Sequence, residues 1–365
     1  MKLATRLWNL AAGLGLALLS IALLLCAGEA LARIYFSVRY GESLIRTGRP
    51  LIKGIELDPV LGWKPAANYH AEYDVTLPDG KLSHVHYSQG RDGFRTFGQL
   101  NTTRKKIFVI GDSFTYANAV SNGETYYDLL GRLLDAEIFA YGMSAYGTLQ
   151  EAIVLDQYLD QIRPDLIVCQ FCVNDFVNNS LALDARAVVQ NVFLVRPYFD
   201  GRKVVNALPF DERFGPWMPY ATERSQLLRI VSDRLRVLHT RYYLHRDSYD
   251  EVIAGRMQDL FKKSVDITSQ ILTRMQKRAG SIPILGFDCL STEPYHSSWR
   301  KLAQEHRIPF VDAVTARIDA EERNGRLMHL DKDGHWNQAG HRLAAETLAD
   351  YIRTTSGWKT VLTRK

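Results

Sequence analysis

Apolar positions fall into three regimes along the chain. The first is a run from Leu10 to Gly28 that contains no charge. As a helix rising 1.5 Å per residue, about nineteen such residues reach across a bilayer core of roughly 30 Å. Lys2 and Arg6 precede the run, Trp8 sits at an interface-like position, and Glu29 and Arg33 follow. The pattern predicts one transmembrane anchor over residues 1–33. A cleaved signal peptide is the rival, and the apolar stretch is longer than a usual signal core. Charge does not orient the anchor. Lys2 and Arg6 on one side are matched by Arg33, Arg39, Arg46 and Arg49 on the other.

The second regime, residues 34–105, is mixed. Leu61-Gly-Trp-Lys-Pro65, the alternating Val75-Thr-Leu77, a Pro78-Asp-Gly80 turn and Gly93-Phe-Arg95 predict short strands and turns laid against a main domain. The third regime, residues 106–365, alternates strand and helix periods. A β-favouring run, Ile107 to Ile110, ends at Gly111-Asp112-Ser113 and passes into a polar loop. Ser121-Asn-Gly-Glu124 has the form of a capping box, and Tyr127, Leu130 and Leu134 follow at helical spacing. A strand at Glu137–Tyr141, a helix over Leu149–Ile162 stopped by Pro164, and a buried strand over Leu166–Val173 come next. Such alternation argues for a parallel sheet with right-handed crossovers.

Residues 178–245 break the rhythm. A hairpin around Asp200-Gly201, an aromatic loop from Pro209 to Tyr220 and a helix with Leu227, Ile230, Val231 and Leu235 read as an insertion near the mouth of a site. The rhythm resumes with a long helix over Glu251–Arg278, a strand over Ile282–Phe287, a helix over His296–His306 and a strand over Ile308–Asp312. A last helix carries Ala344, Leu348, Tyr351 and Ile352 on one face.

Composition changes this picture little. A net charge of +5 with Lys and Arg scattered among acids does not imply nucleic acid. Cys169 and Cys172 have a Cys-x-x-Cys spacing, but three residues apart on a strand they point to opposite faces and read as packed core thiols. No phosphate loop, nucleotide fingerprint or metal-ligand cluster is visible, so no cofactor is implied.

The chemistry that the pattern suggests is nucleophilic acyl transfer. It requires an activated hydroxyl, an imidazole, a carboxylate to orient the imidazole, and donors for an oxyanion. Ser113 follows the first core strand, Gly142 lies after the second, and Asn174 ends the third. His335 sits in a late loop beside Asp331 and Asp333. Taken singly, Gly-Asp-Ser also makes a plain turn, Asn174-Asp175 also caps a strand end or helix, and a loop histidine is common. His239, His245, His296, His306 and His341 read as surface or helix-face residues.

In their order, Gly111-Asp-Ser-Phe-Thr115, Tyr141-Gly142, Asn174-Asp175 and Asp333-Gly-His335 resemble the four blocks of the SGNH, or GDSL, hydrolase family. The resemblance spans about Lys106 to Trp358. It implies a flavodoxin-like three-layer α/β/α fold with a central parallel sheet, and a serine esterase with Ser113 as nucleophile and His335 as general base. It assigns the oxyanion hole to the backbone N–H groups of Ser113 and Gly142 and to the Asn174 amide. Three positions depart from the family pattern: Ala140 replaces an asparagine, Cys172 a glycine, and Lys332 the usual acid three before the histidine. The resemblance implies Asp333 as the acid, since related acyl-processing members show an Asp-x-His-Trp arrangement like Asp333-Gly-His-Trp336, with Asp331 the fallback and a Ser-His dyad also open. The implied substrate is an acyl or acetyl ester of a lipid or cell-surface glycan. An O-acyltransferase or a non-catalytic module of an envelope assembly are the alternatives. Membrane-anchored members of the family are commonly extracytoplasmic, which implies a periplasmic catalytic domain.

Overall fold

The computed structural model describes residues 2–40, 44–45, 54–187, 194–209, 221–222, 224–238, 247–330 and 334–355. The chain forms two compact units, one of residues 1–53 and 210–246, the other of residues 54–209 and 247–365.

In the first unit, a helix runs from Lys2 to Tyr40, past the charged residues that close the apolar run. Its stretch Trp8–Val38 is long and apolar enough to cross a membrane. The second described helix of this unit, Gln226–Leu238, begins against it. The Glu29 carboxylate accepts hydrogen bonds from Ser225 Oγ (2.8 Å), Gln226 N (3.2 Å) and Leu227 N (3.0 Å). It thus caps from a neighbouring helix the orphan donors that a helix start leaves unsatisfied.

The second unit opens with two antiparallel pairs. β1 (Ile55–Asp58) pairs with β2 (Gly62–Pro65), and β3 (His70–Thr76) pairs with β4 (Leu82–Ser88). The main sheet contains β5 (Thr96–Phe97), β6 (Lys105–Gly111), β7 (Ala136–Gly142), β8 (Leu166–Phe171) and β11 (Ile284–Asp288). Between β8 and β11 lies the separate hairpin of β9 (Arg196–Phe199) and β10 (Val204–Ala207). The sheet order is β11-β8-β6-β7-β5, all parallel except the two-residue edge strand β5, so the sheet is mixed.

The strands read as apolar runs because both of their faces are covered. Phe108, Ile110, Ile167, Cys169 and Phe171 join one core with Val154, Leu155, Leu159, Ile271, Met275 and Trp299. Ile107, Val109, Leu166, Val168 and Cys172 join the other with Tyr127, Leu130, Val314, Leu348 and Ile352. Cys169 and Cys172 are thus buried on opposite sides of the sheet, as strand geometry dictates. The three layers are the expected α/β/α architecture.

Local differences from the sequence reading have identifiable causes. The helix Tyr126–Leu134 is capped by Thr125, not by Ser121. Thr125 Oγ1 accepts from the Asp128 N–H while the Asp128 carboxylate accepts from the Thr125 hydroxyl and the Gly123 N–H. The expected long helix is two, Ser248–Ile253 and Gln258–Ala279, separated where Gly255 (φ 74°) and Met257 (φ 56°) turn left-handed. The strand expected at 308–312 is reduced to a single parallel bridge between Gly286 and Phe310, beside Pro309, which has no N–H to give a ladder.

Candidate active site

The parallel strands follow the order second-first-third-fourth, so the chain reverses direction across the sheet between β6 and β8. Open α/β sheets bind ligands at the carboxyl ends of strands flanking such a switch point. Ser113 follows β6, Asn174 follows β8, and Gly142 ends the neighbouring β7.

After β6 the chain makes a one-turn helix, Ser113–Tyr116, and not the expected loop. Asp112 caps it through a hydrogen bond from the Phe114 N–H (3.0 Å). The turn is held tightly against the strands. A Cβ on Gly111 would lie 2.3 Å from Thr115 Oγ1 and 2.4 Å from Gln170 Oε1. One on Gly142 would lie 2.5 Å from the Tyr116 nitrogen and 2.6 Å from Thr115 Cβ. Both positions must therefore be glycine for the serine to sit where it does. Gln170 Oε1 completes the seat by accepting from the Asp112 N–H (3.1 Å) and from Thr115 Oγ1 (2.9 Å).

Ser113 is half-buried, and its Oγ lies 2.6 Å from His335 Nε2. These residues are 222 positions apart in sequence. The imidazole packs against the Phe114 ring at 4.8 Å, and the backbone oxygen of His335 accepts from the Leu330 N–H (2.7 Å). Next to it, Trp336 is buried against Phe114 and Tyr126. Asn337 then caps the helix Gln338–Thr354 by accepting from the Ala339 and Gly340 N–H groups. His335 is therefore fixed by a bridge on one side and a helix start on the other. Asp333, Asp331 and the intervening Lys332 lie outside the described residues.

Asn174 is the second residue of the helix Val173–Asn178, and its side-chain nitrogen donates to the Tyr146 carbonyl at 2.9 Å. An amide nitrogen carries two hydrogens, so this bond fixes the amide plane and leaves a second N–H for another acceptor. The loop that supplies the carbonyl is itself braced. Tyr146 donates its hydroxyl to the Trp63 carbonyl (2.6 Å), and Trp63 Nε1 donates to the Ser144 carbonyl (3.2 Å). The strand pair that precedes the sheet thus supports the Gly142 loop.

Three carboxyl groups whose burial the sequence does not disclose lie beneath these residues. Asp175 is fully buried and is not the helix cap; Cys172 takes that place and donates its N–H to Asp175 Oδ2 at 2.7 Å, while Thr148 Oγ1 donates to Oδ1 at 3.0 Å. Burial pushes the Asp112 carboxyl up, and pushes Asp175 and Glu151 well above the usual carboxylate range. Glu151 falls on an ordinary helical position, so only the folded chain reveals its burial.

His341, expected at the surface or on a helix face, lies on the helix Gln338–Thr354 but faces inward. It is buried, its ring is parallel to that of Tyr126, and its Nδ1 accepts from the Tyr126 N–H at 3.2 Å. Burial, helped by the nearby Arg95 guanidinium, pushes it down to about 3. The folded state therefore lacks a proton that the unfolded chain binds below about pH 6.5. Stability from this source is intact above that pH and falls by about 1.4 kcal/mol per unit on acidification toward 3. In urea titrations between pH 6.5 and 4, His341→Gln should lose less stability than the wild type; equal slopes would contradict the assignment. His296 is likewise partnered, with Nδ1 3.2 Å from the buried Asp288 carboxylate.

Known proteins resemble this chain. The family model of the GDSL-like lipase/acylhydrolase family matches residues 109–343. Nothing matches among curated proteins. Among solved structures, an α/β hydrolase enzyme from the Lake Arreo metagenome is 15% identical, with 69% of this chain and 97% of that one covered and a TM-score of 0.38. The lipase/acylhydrolase from Enterococcus faecalis is 15% identical, with 68% and 95% covered and a TM-score of 0.36. An acetylxylan esterase from Geobacillus stearothermophilus is 12% identical, with 67% and 93% covered and a TM-score of 0.36.

Proposed function

This chain belongs to the GDSL-like lipase/acylhydrolase family and is an ester-hydrolysing enzyme, and from that premise we propose that it works through an acyl-enzyme on Ser113. The observation that carries the reading is the 2.6 Å contact between Ser113 Oγ and His335 Nε2. At that distance the imidazole can take the hydroxyl proton as oxygen attacks an ester carbonyl. The Ser113 and Gly142 N–H groups and the Asn174 amide receive the developing oxyanion. As the tetrahedral species collapses, His335 returns the proton to the departing alkoxide and the acyl group stays on Ser113. Water then enters, loses its proton to His335, and releases the acid by the same steps in reverse. Asp333 orients the imidazole, with Asp331 as the alternative. Burial raises Asp112, Asp175 and Glu151, which disfavours negative charge beneath the oxyanion.

Removing one pre-aimed donor from an oxyanion hole costs about 10²–10³ in kcat. Asn174→Ala should show that loss in kcat with little change in KM, in steady-state hydrolysis of a short-chain ester. A kcat within threefold of wild type would remove Asn174 from the oxyanion hole.

We further propose that the N-terminal helix anchors the enzyme in a membrane, with the catalytic domain on the extracytoplasmic side, and that the substrate is an acyl or acetyl ester of a lipid or cell-surface glycan. Product analysis tests the substrate and the reaction together. With an acetylated glycan as donor, release of free acetate marks hydrolysis. Appearance of the acetyl group on an added sugar acceptor marks transfer, in which a sugar hydroxyl takes the place of water. Inertness toward both glycan and lipid esters would contradict the substrate class.

A further inference from the structure

The ribbon of β3 and β4 carries a second, chemically distinct constellation. Along both strands, side chains alternate between a packed and an exposed face. Tyr73, Val75, Val85 and Tyr87 face inward, with Tyr87 5.7 Å from the ring of Tyr116 in the helix that starts at Ser113. On the outer face, Glu72 stands opposite His86 and Asp74 opposite His84. Glu72 Oε1 is 3.1 Å from His86 Nδ1, and Glu72 Oε2 is 3.9 Å from His84 Nε2. One carboxylate therefore sits between two imidazoles, whose ring centroids are 4.8 Å apart.

We propose that this face binds one divalent transition-metal cation of the zinc class, with Glu72, His84 and His86 as its ligands. One donor atom from each of the three lies within 4.8 Å of the others. Tetrahedral zinc with bonds of 2.0–2.1 Å needs its ligand atoms roughly 3.4 Å apart, so modest side-chain rotations close the site. Two histidines and a carboxylate are an established zinc donor set and leave a fourth position for water.

A second feature makes this more than a surface ion-pair ladder. His84 Nδ1 lies 2.8 Å from Asp74 Oδ1. With that carboxylate accepting the Nδ1 proton, the neutral ring presents the lone pair of Nε2 toward Glu72. A carboxylate that orients a ligating imidazole through its other nitrogen is the usual outer support of a histidine–metal bond. The face also offers a second acidic side chain, Asp74, beside Glu72, which suits a divalent cation. The sequence hides the set because Glu72 and His84-x-His86 come together only through the register of the hairpin. The bound ion would clamp the ribbon that supports the Ser113 helix from behind.

The test is calorimetric titration of zinc chloride into untagged, chelator-stripped full-length protein in detergent micelles. One equivalent should bind. His84→Ala and His86→Ala should each weaken binding at least 10-fold, Glu72→Gln likewise, and Asp74→Asn by about 10–100-fold. His70→Ala, on the same exposed face, should leave it unchanged. These side chains are exposed, so each variant should remain folded, which circular dichroism checks. No saturable zinc binding by the wild type, or one equivalent retained by the His84→Ala/His86→Ala double variant, overturns the proposal.

Discussion

Ser113→Ala is expected to lower kcat for ester hydrolysis by on the order of 10⁴–10⁶, the range seen when a serine hydrolase loses its nucleophile. The reason lies in how the residue is presented. β6 delivers Gly111 into contact with Gln170 and Thr115, Asp112 caps the following turn, and Gly142 lets that turn close onto the sheet. Alanine keeps this scaffold, because the Ser113 hydroxyl takes no part in the capping bonds. Stability should therefore fall by no more than about 1 kcal/mol, the net contribution of the part-buried hydrogen bond to His335 that is lost. Steady-state assays with short-chain esters, paired with a urea titration, separate loss of chemistry from loss of fold. A folded variant with a tenth of wild-type activity would mean that another group attacks the ester.

The second large effect is expected at His335. Its Nε2 is the base within 2.6 Å of the serine oxygen, and a neutral serine hydroxyl is a poor nucleophile at pH 7. His335→Ala should cost a comparable factor in kcat. The double variant with Ser113→Ala should be no worse than either single one, because the two groups act as a unit. Additive losses would show that they serve separate steps. The same assay ranks the carboxylates. Asp333→Ala is expected to lower kcat by about 10⁴, the scale of losing the group that holds the imidazole, and Asp331→Ala to leave it near wild type. The reverse pattern would transfer the role to Asp331.

Much of this site is legible from residue order, and for a physical reason. An apolar run ending in glycine and a small polar residue marks the carboxyl end of a buried strand, where a parallel sheet gathers its chemistry. Ser113, Gly142 and Asn174 each stand at such an end, so the topology alone brings them to one edge. His335 is legible through its neighbours, and the bridge between Trp336 and His329 and the Asn337 cap account for its position. Burial is not legible. Glu151 and Asp175 are ordinary polar residues until helix and sheet close over them, and His341 lies on a helix face that happens to meet Tyr126. Long-range pairing is equally hidden: the capping of Gln226–Leu238 by Glu29, and the gathering of Glu72 with His84 and His86, depend on contacts that no local spacing encodes. The short helix at Ser113 reads as a loop because a single turn has no period.

The central claim is that Ser113 is an activated nucleophile, and reaction with a fluorophosphonate probe at neutral pH tests it most directly. Intact-mass and peptide analysis should find one adduct on the wild type, on Ser113, and none on Ser113→Ala. An unlabelled wild type, or an adduct that survives in Ser113→Ala, would contradict it.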